Sequence, residues 1–394
     1  MRIAFVAHLS ELSGAGVALV DVARAFADGG HDVQLVLPGE GPLLGRARAC
    51  GMEPTLVQNT EQDFRGGSLL FRVGMIATRL HYVRELTRLF KRQNVDVVYV
   101  NSTVSVFAGV AGWLARKTIV WHVHETLDQP SRSMRVKMRI IRKLSSGLVY
   151  ASRSAQAAFP PDGLPSMVAR NAIDFPGLAR ARDQRLEEGS VAATAAAPVY
   201  LFLNGTIRRK GADVLLQAVQ QLLHRSDSPA PQLAVTITGA PETDPTFFAQ
   251  LQAMTESGPL RGIVDFAGIQ TSLLPQLRRA SLFISASRNE ALPISIVEAM
   301  AAGVPVIATD VGDCADLLDN GAAGWVVPPD DAAALAAAIG DALGNPAERR
   351  SRAECAFQKV QRLYGGADFW APLLGFVEGV AAQGCPARGL PRQS

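Results

Sequence analysis

Apolar residues along the chain come in short runs, and each run ends at its carboxyl side in polar or ionisable residues. "RIAFVAHL" (2–9) is the first. After it come the polar, glycine-containing "SELSGAG", the amphipathic "VALVDVARAFADGG" and a second run, "HDVQLVL". Gly29-Gly30 is a helix stop, so the order reads strand, loop, helix, strand. That is the first crossover of a parallel α/β sheet. "VDVVYVNS" (95–102), "KTIVWHVHE" (117–125), "GLVYAS" (147–152) and "PSMVARNAID" (165–174) continue the series. In an open parallel sheet the carboxyl edge, where these polar residues fall, is where ligands bind.

The pattern fails over "GLARARDQRLEEGSVAATAAAP" (177–198), which is small, polar and Ala-rich and reads as a linker. It then restarts with "VYLFLNG", a helix from Gly211, "LAVTITGAP", "IVDFAGI", "SLFISAS", a helix around 294–302, "VPVIATD" and "GWVVPP". The expected architecture is two doubly wound units in tandem: 1–177, a linker at 178–197, and 198–364. The remainder, 365–394, holds a helix, "ADFWAPLLGFVEGVAA" (367–382), whose large apolar residues need a surface to cover. The first domain is the candidate.

Composition fits this picture. A chain of 394 residues, 48% hydrophobic and 19% charged, is too long for one ordinary core and too apolar for disorder. The opening apolar run meets His8 and Glu11 at once, which marks a strand and not a signal peptide. The longest near-apolar stretch, Val104 to Ala115, is too short to span a bilayer. The expected location is cytoplasmic. Cys50, Cys314, Cys355 and Cys385 are scattered without metal-binding spacing and read as reduced thiols.

Charge is uneven. Residues 1–180 carry 22 Lys/Arg and 14 Asp/Glu, whereas the rest carry 17 and 22. The basic half favours anions or an anionic surface.

Four stretches carry candidate chemistry. Gly14-Ala15-Gly16, after a strand and before a helix, brings backbone N–H groups and a positive dipole end to an anion. The GxGxxG fingerprint of dinucleotide binding fails at its third position, Leu19, so hydride transfer is a weak reading. In "WHVHE" (121–125), His122 and His124 share one side of a strand. A third metal ligand at convincing spacing is missing, and a single hydrogen-bonding histidine is the better reading. "NGTIRRKG" (204–211) gathers Arg208, Arg209 and Lys210 at a helix start, where cations repel the dipole unless an anion intervenes. Finally, "SRNEALPISIVEAM" (287–300) sets Glu290 in a loop and Glu298 within the following helix. A carboxylate accepts two hydroxyl protons, which suits a ribose or a hexose. The N–H groups of Ala291 and Leu292 at the helix start suit a phosphate or sugar oxygen.

Residues 285–327, with their E-x7-E pair, resemble the donor-site signature of retaining GT-B glycosyltransferases of family 4. The likeness extends to the glycine loop, "HVHE", "RNAID" (170–174) and "RRKG". It implies two Rossmann-like domains facing across a cleft, with a nucleoside-diphosphate sugar held mainly by the second. By this resemblance Glu298 binds the ribose hydroxyls, and Glu290 with the backbone of Ala291 and Leu292 holds the transferred sugar. Lys210 and Arg209, near Gly205, neutralise the diphosphate, which Gly14 and Gly16 approach from the other domain. His124 best matches the active-site histidine, with His122 as the alternative. The implied catalytic set is His124, Glu290 and Lys210. The chain departs from the family pattern at Thr206, where an Arg usually follows the glycine, and at Ala291, Ala172 and Asp313, where Gly is common.

The implied reaction is sugar transfer with retention, by same-face attack within an ion pair. No D-x-D pair is present. The expectation is metal-independent transfer with no cofactor beyond the donor, Arg209 and Lys210 taking the role a divalent ion has elsewhere. A sugar-nucleotide epimerase of the same fold, or a non-catalytic sugar-nucleotide-binding protein, are the alternatives.

For the acceptor, residues 131–146 offer Arg132, Arg135, Arg139, Arg142 and Lys143 on one helical stripe opposite Met134, Met138, Ile141 and Leu144. Residues 65–92 add seven basic residues against Glu85 alone. A glycan or lipid-linked acceptor, with peripheral docking on an anionic membrane, is the expectation. Nucleic acid is not expected, because aromatic stacking platforms are lacking.

Overall fold

The computed structural model describes residues 1–58, 69–125, 131–191, 199–225, 233–256, 258–366 and 368–384. The chain divides into two units, one formed by Met1–Ala172 with Trp370–Ser394 and the other by Ile173–Phe369.

The first unit is built on β1 (Arg2–Val6), β2 (Asp32–Leu37), β3 (Thr55–Leu56), β4 (Val97–Asn101), β5 (Thr118–Val123), β6 (Gly147–Tyr150) and β7 (Ser166–Val168). All pairings are parallel, in the order β3-β2-β1-β4-β5-β6-β7. The second is built on β8 (Val199–Asn204), β9 (Leu233–Thr238), β10 (Val264–Gly268), β11 (Leu282–Ser285), β12 (Val306–Thr309) and β13 (Trp325–Val327). It too is wholly parallel, in the order β10-β9-β8-β11-β12-β13. Both are doubly wound Rossmann-like sheets. Strand order reverses between β1 and β4 and between β8 and β11, and at each reversal a crevice opens at the carboxyl edge.

Strands buried on both faces explain the unbroken apolar runs. Every residue of β4 and β5 is buried, Tyr99 and Trp121 included. The two-residue β3 lies at an edge, too short to leave an apolar run.

The first helix starts at Gly14, not at Val17, because Ser13 caps it: its hydroxyl accepts the N–H of Gly16 at 3.1 Å. Gly14 and Gly16 therefore occupy the first helical turn and not a free loop.

The expected linker is a correction. Phe175–Val191 is a helix of the second unit, and residues 192–198 lie outside the described residues. The stretch is poor in large apolar residues but rich in Ala, Arg, Gln and Glu, which are good helix formers. Sparse anchors suffice to dock it. Leu178 and Ala181 are buried, Arg182 stacks over Phe357 at 3.9 Å and bridges to Glu354, and Arg185 donates to the carbonyl of Ala280 at 2.8 Å.

The helix Ala371–Ala382 belongs to the first unit. Leu373, Val377 and Val380, at i, i+4 and i+7, are its buried stripe. Gly29 and Gly147 let it in: a Cβ on either would stand 2.7 Å from Leu374 and 2.9 Å from Val380, respectively. No helix among the described residues is long and apolar enough to cross a membrane.

Candidate active site

In the second unit the site grows out of the β8–β11 reversal. β8 leads into Gly205, whose φ of +141° lies outside the range comfortable for other residues. A Cβ there would stand 2.3 Å from Cγ of Lys210, so the glycine lets the lysine stem lie across the backbone. Arg208–Lys210 form a 3₁₀ turn closed by Gly211, and the α-helix proper starts only at Ala212, with Asp213 in its first turn. The cations therefore precede the helix, with acid at its start, as the dipole favours.

Lys210 Nζ and Arg209 Nη1 each reach Glu290 Oε1 at 2.6 Å. Arg209 also donates to the carbonyl of Asn289 at 2.9 Å. Arg208 turns elsewhere, to Gln250 at 2.9 Å and over Phe247. Two cations of the three thus converge on one carboxylate that is only 10% exposed.

The Glu290 loop is held from two sides. Arg288 forms a fork with both oxygens of Asp213 (2.9 Å each), bonds Asp330 at 2.6 Å, and donates to the carbonyl of Arg208 at 2.6 Å. From the β12 side, Thr309 donates to the carbonyl of Ser287 at 2.6 Å, and Asp313 N–H to the carbonyl of Ala291 at 2.9 Å. Gly312, with φ +55°, passes so close that a Cβ would stand 2.0 Å from the carbonyl oxygen of Glu290. Sequence reading missed Arg288, which sits unmarked between the residues it supports.

Pro293 leads into the helix Ile294–Ala301, which carries Glu298 one side down from the loop of Glu290, Ala291 and Leu292. Burial pushes the Glu298 carboxyl up to about 7. Its carboxyl is part-buried and takes no hydrogen-bond or ion-pair partner among the described residues, so nothing there offsets the desolvation that disfavours its charged form.

In the first unit the β1–β4 reversal gathers imidazoles. His124, just beyond β5, has its Nε2 2.8 Å from Oδ1 of Asn101, at the end of β4. The rings of His122 and His124 lie 4.0 Å apart. His122 Nδ1 is 2.9 Å from the hydroxyl of Tyr99, while its Nε2 is buried without a partner among the described residues. Glu125 accepts the hydroxyl of Ser102 and the backbone N–H groups of Thr103 and His124. Ser102 stands in the left-handed region at φ +73°, a strained place for a residue with a Cβ, and strain of this kind collects at functional sites.

Burial lowers the pKa of His124 to about 4, against a raising effect of Glu125 and with a further lowering by His8. It lowers His8 and His122 as well. His8 was read only as a polar stop to the first strand; its place at the carboxyl end of β1 was the signal that joined it to this group. Among the described residues no three His, Cys, Asp or Glu side chains are arranged to hold a metal ion.

Gly14 is exposed, and a Cβ on it would meet nothing within 4 Å, whereas one on Gly16 would crowd Leu43, Ser13 Oγ and the carbonyl of Glu11 at 3.2–3.3 Å. The openness at Gly14 is what a ligand contact needs, while Gly16 answers to packing within its own unit.

Residues 12–175 match the family described as Glycosyltransferase Family 4, and residues 197–345 match that described as Glycosyl transferases group 1. The chain belongs to the group 1, family 4 glycosyltransferases. A relative is the lipopolysaccharide core biosynthesis mannosyltransferase LpcC of Rhizobium leguminosarum bv. viciae, 27% identical over 56% of this chain and 61% of the relative. Another is the GDP-mannose-dependent alpha-(1-6)-phosphatidylinositol monomannoside mannosyltransferase of Mycolicibacterium smegmatis, 27% identical over 66% of this chain and 70% of the relative. The chain thus spans less than two thirds of the length of the first of these relatives. Among solved structures, Anabaena Alr3699/HepE in complex with UDP aligns with 96% of this chain and 100% of its own, at TM-score 0.78 and 20% identity. The likeness is one of fold: this chain has the GT-B architecture of two Rossmann-like domains.

Within this chain, Gly205, Arg209, Lys210, Glu290, Ala291, Leu292 and Glu298 share the β8–β11 carboxyl edge of the second unit. Gly14, Gly16 and His124 share the β1–β4 edge of the first. The basic helix Arg132–Leu144 buries Met138 and Ile141, as its periodicity requires. Arg132, Arg135, Arg139 and Lys143 are exposed, with Val136 54% exposed among them. Arg142 leaves this stripe: it bridges to Asp162 at 3.0 Å and lies over Phe159. Of the second basic stretch, residues 65–68 and the side chains of 69–76 lie outside the described residues.

Proposed function

We propose that this chain is a retaining glycosyltransferase that moves a hexose from a nucleoside-diphosphate sugar to a glycan or lipid-linked acceptor in cell-surface polysaccharide or glycoconjugate synthesis. The convergence of Arg209 and Lys210 on Glu290, at a strand-order reversal, is the observation that carries the reading. Two cations and one shielded carboxylate offer both halves of a sugar diphosphate a partner. The diphosphate takes the cations. Glu290, relieved of them, accepts hydroxyl protons of the transferred sugar.

When the sugar–phosphate bond breaks, negative charge grows on the leaving oxygen while the sugar becomes oxocarbenium-like. Cations already fixed in a shielded place stabilise that charge without reorganisation, which is usually the largest catalytic contribution. In this reading the transfer needs neither a divalent ion nor an organic cofactor. Glu298, raised to about 7 by burial, is suited to share hydrogen bonds with the ribose diol, which relieves an otherwise unpaired group. His124, neutral at physiological pH, serves as a hydrogen-bonding group to substrate. Anabaena HepE is described in complex with UDP and with UDP-glucose, and the mycobacterial relative is GDP-mannose-dependent, so uracil and guanine are the bases to try first.

The exposed stripe Arg132, Arg135, Val136, Arg139 and Lys143 suits an anionic bilayer on the cytoplasmic side: cations for headgroups, with an apolar residue among them. Sedimentation with vesicles containing anionic lipid tests this, and binding unaffected by reversing those four charges refutes it.

The decisive experiment is a thermal-shift screen against UDP-, GDP- and ADP-sugars, followed by product analysis with and without acceptor. One donor is expected to raise the melting temperature, since a ligand bound only by the folded state stabilises it. No response to any sugar nucleotide refutes the reading, and isomerisation of donor without acceptor replaces it with an epimerase.

A further inference from the structure

Asn101 is fully buried, yet its side chain spans two elements. Its Nδ2 donates to the carbonyl of Ala15 at 3.0 Å, and its Oδ1 lies 2.8 Å from Nε2 of His124. The first bond fixes the second. A backbone carbonyl only accepts, so the NH₂ end of the amide has to face Ala15. The oxygen then faces the imidazole, and an amide oxygen also only accepts. His124 must therefore carry a proton on Nε2. In a neutral ring Nδ1 keeps the lone pair.

The groups around the ring favour that neutral form. Glu125, the nearest acid, spends its oxygens on the Ser102 hydroxyl, on Thr103 N–H at 3.2 Å and on the backbone N–H of His124 at 3.2 Å. His122, whose tilted ring lies 4.0 Å away, and His8 are both shifted by burial toward their uncharged forms. A cation on His124 would face two more rings, and the nearby charge of Glu125 offsets only part of the cost of burying it. Nδ1 of His124 takes no partner among the described residues. The His124 ring is only part-buried, whereas Nδ1 of His8 and Nε2 of His122 are sealed in without a partner among the described residues.

We propose that Asn101 is a positioning residue: it locks His124 in the Nε2–H tautomer, so that Nδ1 is offered as acceptor to a hydroxyl of the bound sugar substrate. Through Ala15 it also ties the ring to the first turn of the helix Gly14–Asp28, between the two glycines of that turn. The proposal rests on the glycosyltransferase reading for the identity of the hydroxyl, but not for the tautomer. It assigns His124 the work of an acceptor. A diphosphate would want the opposite, a protonated ring.

The test starts with the unmodified protein labelled with ¹⁵N-histidine, read by long-range proton–nitrogen correlation without any substrate, with the His124 signals assigned from their loss in His124→Gln. The expected spectrum at pH 7 shows a proton on Nε2 and a bare Nδ1. A proton on Nδ1 overturns the proposal, and the tautomer is read on the unmodified chain, His124→Gln serving only to assign the signals. Asn101→Ala is then expected to give a mixture of tautomers and to lower kcat/KM by about tenfold, mostly in kcat. Asn101→Asp keeps an acceptor beside Nε2 but adds charge. It should raise the His124 pKa and bring an acid limb into the kcat/KM profile at higher pH than in the wild type. Unchanged tautomer and unchanged pH profile in both variants overturn the proposal. A correct tautomer in a protein that turns over no sugar nucleotide counts against the glycosyltransferase reading and leaves the locked ring standing.

Discussion

The two sheets share a strand order, a parallel sense and a place for ligands, but they furnish that place with opposite electrostatics. At the β8–β11 edge the functional groups are charged and paired: Arg209 and Lys210 on Glu290, and Arg288 on Asp213 and Asp330. At the β1–β4 edge they are neutral imidazoles, and the acid beside them, Glu125, is satisfied by a hydroxyl and backbone N–H groups. The contrast teaches that topology fixes where chemistry is displayed and leaves its kind to a few residues at strand ends. Charged, prearranged groups suit a leaving diphosphate. A neutral acceptor suits a hydroxyl.

The largest effect should come from the charged edge. Lys210→Ala is expected to lower kcat by roughly 10²–10³-fold, the usual cost of removing one preorganised stabiliser of developing charge. Folding should survive, because the lysine contributes to an ion pair and not to a core. Steady-state kinetics beside circular dichroism checks this, and near-wild-type turnover would break the assignment of the second unit as donor site. Arg209→Ala, at a more exposed position, should cost less.

Glu298 comes next and tests both function and folding. Its pKa of about 7 in the folded chain exceeds the ordinary 4.5. Between those values the folded state holds a proton that the unfolded state has released. Stability from this group is thus full below pH 4.5 and is lost as pH rises toward 7, by at most about 3 kcal/mol. Glu298→Gln should remove that slope and raise stability at pH 8, while weakening donor binding by about tenfold or more in calorimetry. Unchanged donor affinity refutes the ribose role.

The first unit should show the opposite sign. His124 falls from 6.5 to about 4 on folding, and His8 and His122 also fall. The unfolded state binds protons here first, so stability is full above pH 6.5 and is lost as pH drops through about 4. Hydrogen exchange followed by mass spectrometry should therefore find β1, β4 and β5 loosening at acid pH before β8 and β11 do. Simultaneous loosening would erase the comparison.

The same contrast explains what was legible. Runs such as "VDVVYVNS" and "SLFISAS" announce themselves because both faces of a parallel strand are buried, and β3 escapes because two residues make no run. The Glu290 and Glu298 pair stood out because charge among apolar neighbours needs a reason, and burial of Glu298 supplies it. Arg288 was illegible, since its partners Asp213 and Asp330 lie far away in sequence. So was the helix at 175–191, whose few apolar anchors, Phe175, Leu178 and Ala181, are supplemented by the stacked Arg182 and by Arg185 on the carbonyl of Ala280. Asn101 looked like the polar end of a strand. Only its two distances reveal which nitrogen of His124 holds the proton.

The smallest expected effect concerns that helix. Arg182 lies over Phe357 at 3.9 Å, bridges to Glu354 at 2.6 Å, and its stem passes above Gly303, where a Cβ would stand 2.8 Å from its Cγ. Arg182→Ala removes a stacked cation and a partly exposed pair, together about 1–2 kcal/mol. Chemical denaturation should show the loss, with donor affinity and kcat unchanged because no donor-site residue touches Arg182. Arg182→Lys keeps the charge but not the planar stack, and should recover less than half of it. Full recovery by lysine would mean that charge and not stacking docks the helix, which would make this scaffold contact resemble the charged edge it supports.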